Sequence, residues 1–224
     1  MKYIFLLKTG KMNFLMLLLI FFTLFSFSSL IFSLSLSFAS VSEYQLQLRW
    51  GTAGTENGQF MVPHSMAFDS GGNIYVTDVN NHRIQKFTND GEFITKWGTE
   101  GNGDGQFNEP HSSIVDRFGN VFVSDMNNHR IQKFTNDGEF ITKWGTEGNG
   151  DGQFGLPLGI GSDSKGNIFI IDQATSSIPQ FSNQGQFINK IIFNFGKLED
   201  IEIDSNDDVY VTDRNKNEIL KFSK

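Results

Sequence analysis

From residue 41 onward, apolar and polar positions alternate in short runs, and no stretch repeats at helical spacing. Pro63 to Phe68 reads as one strand. Asp69-Ser70-Gly71-Gly72-Asn73 follows as a turn cluster, rich in residues that accept left-handed backbone or bond their own chain. Ile74 to Thr77 is a β-rich second strand and Arg83 to Thr88 a third. Asn89-Asp90-Gly91 carries the Asp-Gly hairpin signal, and Glu92 to Trp97 is a fourth strand. Gly98 to Gln106 then forms a glycine-rich loop. Ile74, Tyr75 and Val76 put apolar groups on both faces of one strand, as a sheet covered on both sides requires.

This four-strand unit recurs. Trp50, Trp97 and Trp144 are spaced by 47, with Ile191 in the next equivalent place. Asp69, Asp116 and Asp163 share that spacing, and Asp204 follows after 41; Asp78, Asp125, Asp172 and Asp213 repeat the pattern. Asn80 to Phe107 is identical to Asn127 to Phe154 over 28 residues, which points to a recent internal duplication. Four short strands every 40 to 50 residues is the period of a propeller blade. A sandwich needs no such repeat, and solenoid coils are usually shorter. The expected fold is therefore an all-β propeller of about four blades, near 58–97, 105–144, 152–191 and 195–224. The last blade ends with a third strand near Glu218, and Tyr44 to Trp50 reads as a spare fourth strand. Segment 43–51 is accordingly expected to pair with Glu218 to Ser223 and close the ring, removing free sheet edges.

The run Gly72 to Asp78, followed by Asn81-His82-Arg83-Ile84-Gln85-Lys86-Phe87, resembles the NHL repeat. The loop Gly101 to Phe107 resembles the usual connection between blades of that family. The resemblance covers about residues 43–224 and is most specific in the first two blades. It implies an NHL-type β-propeller. Relatives most often have six blades, so four is a departure; a small ring, an incomplete chain or two joined chains each satisfy the count.

The first 40 residues differ from the rest. They hold no Asp or Glu, and Lys2, Lys8 and Lys11 precede an apolar run from Met12 to Phe38. This is the pattern of a signal peptide, with Ala39 a suitable cleavage point. The run is also long enough for an uncleaved hydrophobic helix that anchors the chain in a membrane. With the lysines retained inside, both readings place a domain of residues 41–224 outside the cytoplasm, secreted or membrane-anchored. In that domain 15 of the 18 basic residues face all 25 acidic ones, a net charge of −10, which opposes a nucleic-acid partner. The chain has no cysteine, which excludes disulfides, thiolate catalysis and Cys-ligated zinc.

Two groups of residues could carry chemistry. Asp78, Asn81 and Arg83, copied as Asp125, Asn128 and Arg130, could form a polar ligand site. The better reading is a set that fixes the turn between second and third strands, where buried backbone groups need partners. His64 and His111 follow the proline that opens each first strand, the strand that lines a propeller's channel. Leu158 and Glu199 hold the equivalent places in the other blades, so His64, His111 and Glu199 are candidate ligands for a divalent metal at the channel mouth. Ser65, Ser112 and Asp200 lie one residue on and could support them. The rival reading is ordinary polar channel lining. No Ser-His-Asp order, phosphate loop or zincin motif occurs, and the glycine-rich loop does not match an EF-hand.

The leading expectation is a non-catalytic scaffold that binds an extracellular protein or glycan, with no cofactor required. Some NHL-like propellers are metal-dependent lyases or hydrolases, and the resemblance makes this the alternative, centred on His64, His111 and Glu199. RNA binding, known among other relatives, is opposed by the charge.

Overall fold

A computed structural model describes residues 46–193 and 196–223. The expected N-terminal signal or anchor helix lies outside these residues. Among the described residues no helix is long and apolar enough to cross a membrane.

A short parallel pair, β1 (Thr52–Ala53) and β2 (Gln59–Phe60), precedes the blades. The first blade is β3 (Pro63–Phe68), β4 (Ile74–Asp78), β5 (Arg83–Phe87) and β6 (Phe93–Trp97). The second is β7 (Pro110–Val115), β8 (Val121–Asp125), β9 (Arg130–Phe134) and β10 (Phe140–Trp144). The third is β11 (Pro157–Ser162), β12 (Ile168–Asp172), β13 (Ser177–Phe181) and β14 (Phe187–Ile192). The fourth has three strands, β15 (Leu198–Ile203), β16 (Val209–Asp213) and β17 (Glu218–Phe222). Every blade is an antiparallel meander, the arrangement of a four-bladed β-propeller.

The repeated aspartates earn their spacing in the turns. Asp69 Oδ1 accepts from the backbone N–H of Gly71 and of Asn73, each at 2.9 Å. Asp116, Asp163 and Asp204 accept from the same relative positions. Each carboxylate thus replaces the ladder bonds lost where the chain reverses.

Apolar residues on facing blades make the core. Ala67, Tyr75 and Ile84 of blade one pack with Phe107, Val121, Val123 and Phe134. Phe122 and Ile131 continue onto Phe154, Ile160, Ile168, Ile170 and Phe181. Leu158, Phe169, Ile171 and Ile178 meet Leu198, Ile201, Val209 and Val211. At the first two junctions a tryptophan from the preceding fourth strand packs on the cluster, and at the third Ile191 takes that place. Trp97 lies 5.8 Å from Phe134 and Trp144 lies 5.8 Å from Phe181, between ring centroids.

Among the described residues the ring-closing clasp is not formed. Blade four is three-stranded, and residues 46–50 are not a strand. Trp50 instead packs on blade one, 6.2 Å from Phe87, as Trp97 and Trp144 do on blades two and three. Packing runs from β3 to β7, β7 to β11 and β11 to β15, with no comparable contact from β15 back to β3. Trp50 is held against Phe87 of blade one and β15 does not pack comparably on β3, so Leu46 to Trp50 is not paired with β17.

Candidate functional site: the channel neck

The turn motif is structural. Asp78, fully buried, accepts through Oδ2 from Arg83 Nε at 2.9 Å, Asn81 Nδ2 at 2.8 Å and Gln85 Nε2 at 3.2 Å. Its Oδ1 accepts from Met61 N at 2.7 Å. The rest of the Arg83 guanidinium donates to the carbonyls of Thr55, Glu56 and Gln59. Asp125, Asn128, Arg130 and Gln132 reproduce the set around the loop before blade two. Buried charges here are paired and hydrogen-bonded, which leaves them no capacity for a ligand. His82 and His129 close these turns in left-handed conformation, with φ of 49° and 52°. His82 Nδ1 accepts from Glu109 N, whereas His129 Nδ1 donates to the Gly155 carbonyl. Both imidazoles are used by the connection to the next blade.

The channel is different. The innermost strands β3, β7, β11 and β15 line a cavity of about 640 Å³. A second cavity of about 590 Å³ opens on the side of the turns between second and third strands. His64, His111 and Glu199 line both, so they form the neck between them. The imidazoles of His64 and His111 stand 4.1 Å apart between centroids, and His111 Nε2 is 4.0 Å from Glu199 Oε1. His64 Nδ1 donates to the His111 carbonyl at 3.1 Å. That bond places a proton on Nδ1. His111 Nδ1 is buried without a hydrogen-bond partner. Leu158, the equivalent residue of blade three, is buried in the core instead.

Burial, and then the neighbouring His64, push the His111 imidazole down to about 4. The ring is therefore neutral at physiological pH. Glu199 is shared: Gln173 Nε2 donates to it at 3.4 Å, and Arg214 Nη1 lies 3.9 Å away. The hydroxyls of Ser65 and Ser112 pair with each other at 3.3 Å. Asp200 is exposed, with its backbone N–H donating to Thr212 Oγ1 at 3.0 Å. Among the described residues no three His, Asp or Glu side chains are grouped closely enough to hold a metal ion as they stand. The donor set suits zinc in type, but the 4.0 Å between His111 Nε2 and Glu199 Oε1 exceeds the roughly 3.3 Å that separates two donors held about 2.0 Å from a tetrahedral ion.

Sequence reasoning missed three contributors. Glu202 lines the inner cavity beside Asp200, and partial desolvation followed by the Asp200 charge pushes its carboxyl up. Gln173 and Arg214 line the outer cavity. None of the three belongs to a repeated motif, so only their blade positions could have signalled them.

The match to protein families agrees with this geometry. Residues 60–87 match the NHL repeat. That stretch carries an NHL repeat, within an all-β propeller of four blades. A 45-residue stretch of the chain is 44% identical to the B-box type zinc finger protein ncl-1 of Caenorhabditis elegans, covering 20% of this chain and 5% of that protein. Among solved structures, the nidogen/laminin complex aligns with a TM-score of 0.59 at 20% identity, over 73% of this chain and 60% of that one. The virginiamycin B lyase of Staphylococcus aureus aligns with a TM-score of 0.56 at 16% identity, over 72% and 55%. A protein of unknown function from Bacteroides caccae gives 0.54 at 19% identity, over 72% and 56%. The chain thus spans a little over half of each of these solved neighbours, and these likenesses speak to the fold.

Proposed function

We propose that this NHL propeller is a non-catalytic binding scaffold outside the cytoplasm, which takes a basic segment of a protein partner at the channel. The observation that carries this reading is the division of labour among its charged groups. The repeated Asp–Arg sets are spent on holding loops, while Asp200 and Glu202 remain exposed at the channel beside the half-buried Glu199 that Gln173 and Arg214 share. Rigid blades that present an unspent acidic surface suit recognition by charge. The nidogen/laminin neighbour is a propeller fold found in a protein–protein complex, which agrees with this use. The basic start and apolar run of residues 2–38 support the location.

The test is direct binding of lysine-rich, glutamate-rich and neutral peptides, together with glycans and RNA, to the full chain by calorimetry. The lysine-rich peptide is expected to bind best, to weaken with salt, and to lose about tenfold affinity in a Glu199→Gln, Glu202→Gln variant, about 1.4 kcal/mol. Preference for the acidic peptide or RNA, or unchanged affinity in the variant, contradicts the proposal.

A second reading is a metal-dependent lyase or hydrolase. It is favoured by one observation, the neutral, partnerless His111 Nδ1 in a neck shared with His64 and Glu199. There His64, His111 and Glu199 would hold a divalent ion, whose Lewis acidity would supply the chemistry.

A further inference from the structure

Both end faces of the arc are cut through a junction that is filled everywhere else. On blade one, Ile74, Val76 and Phe87 are buried with Trp50, Phe60 and Phe93 around them. These six stand where Val121, Val123, Phe134, Trp97, Phe107 and Phe140 stand on blade two. The blade-two cluster is completed by Ala67, Tyr75 and Ile84 from the blade before it. Among the described residues blade one has no such completion. Met66 and Phe68 are 63% and 61% exposed, and an apolar groove of about 450 Å³ runs past Leu48, Trp50, Phe60 and Met66.

Blade four presents the missing half. Tyr210, Ile219 and Lys221 occupy the places of Tyr75, Ile84 and Lys86. Tyr75 and Ile84 are fully buried against blade two, whereas Ile219 is 65% exposed. Lys86 Nζ donates to the Asn136 carbonyl across its junction at 2.9 Å, and Lys133 to that of Asn183 at 3.1 Å. Lys221 instead lies on Tyr210 and pairs with Asp208.

We infer that a second copy of this chain fills this gap, blade four of one copy packing on blade one of the next. The position of Trp50 selects this occupant. It sits against Phe87 and Gly91 as Trp97 sits against Phe134 and Gly138, and Trp97 ends the fourth strand of the preceding blade. Leu46 to Trp50 is therefore placed as the fourth strand of a blade standing before blade one. Blade four lacks that strand. In its own chain it lies three junctions away, without packing of β15 on β3. Across copies, the pairing of β5 with β6 sets the register: Ile84 with Trp97, Lys86 with Thr95 and Phe87 with Phe93. Carried over, Ile219 meets Trp50, Lys221 meets Leu48 and Phe222 meets Leu46. The exposed Leu46, Leu48 and Ile219 become buried, and the free edge of β17 is paired. One position departs from the template: Glu202 replaces Ala67, on the strand that lines the channel. The contact joins two different faces, so it either closes into a ring or extends.

The native chain has no cysteine, so single cysteines report this contact cleanly. Full chains carrying Leu48→Cys and Lys221→Cys are purified separately in mild detergent, mixed and mildly oxidised. A disulfide-linked pair containing one of each is expected, at least tenfold above either variant alone. The unmodified chain is expected to run at a protein mass of two or more times 25.3 kDa. Ile219→Glu is expected to return it to one chain mass, with an unchanged β-sheet circular dichroism spectrum. A single-chain mass for the native protein overturns the inference. So does a doubly substituted chain that closes on itself while the mixed single variants give no cross-link, since that places the strand on its own blade four.

Discussion

Arg83 Nε and Asp78 Oδ2 lie 2.9 Å apart in the interior of blade one, and the same guanidinium gathers three carbonyls of the loop before the blade. One side chain thus ties the strand-two end, the strand-three start and the inter-blade loop together. Removing it leaves a buried carboxylate without its counter-charge. Arg83→Met is expected to destabilise by about 3–5 kcal/mol, and Arg83→Lys by less, because an ammonium keeps the counter-charge even though it cannot span three carbonyls. Denaturant unfolding checks the order, and hydrogen exchange should show residues 52–62 opening first.

Gly138 and Gly119 both have positive φ, at 89° and 84°. They differ in what a methyl group would meet. At Gly119 the nearest atom is 3.8 Å away, whereas at Gly138 it is the Trp97 ring at 2.6 Å. Gly119→Ala is expected to cost about 1 kcal/mol from backbone strain alone. Gly138→Ala should cost more and also shift tryptophan fluorescence, because Trp97 must move. Equal melting temperatures for the two variants would remove Trp97 from the junction.

His111 makes stability depend on pH. Its imidazole titrates near 4 in the fold and near 6.5 when exposed. Between those values the unfolded chain binds more protons, so stability rises with pH, is complete above about 6.5, and is lost as pH falls towards 4. The full effect is on the order of 3 kcal/mol. His111→Asn should flatten this slope in melting temperature between pH 4 and 6.5. An unchanged slope would show that the ring is solvated.

Most of the blade architecture was legible because the repeat copies turn chemistry as well as core. Asp69 and its three counterparts mark the first hairpin of each blade, and the prolines at 63, 110 and 157 open the inner strands. His64, His111 and Glu199 could be brought together by counting from those marks. The clasp could not. Leu46 to Trp50 has the pattern of a fourth strand, but the partner edge depends on the rotation accumulated over three junctions, which side-chain packing sets. Gln173, Arg214 and Glu202 escaped because each occurs in one blade alone, where periodicity gives no signal.

The claim that the neck recognises rather than catalyses is tested most directly by its metal content. The full chain and a His64→Ala, His111→Ala variant, purified without chelator, are compared by mass spectrometry for zinc, iron, manganese and calcium. The account predicts no stoichiometric metal in either, and melting temperatures that do not rise when these ions are added. About one ion per native chain, lost in the variant, would contradict it and make the neck a metal centre.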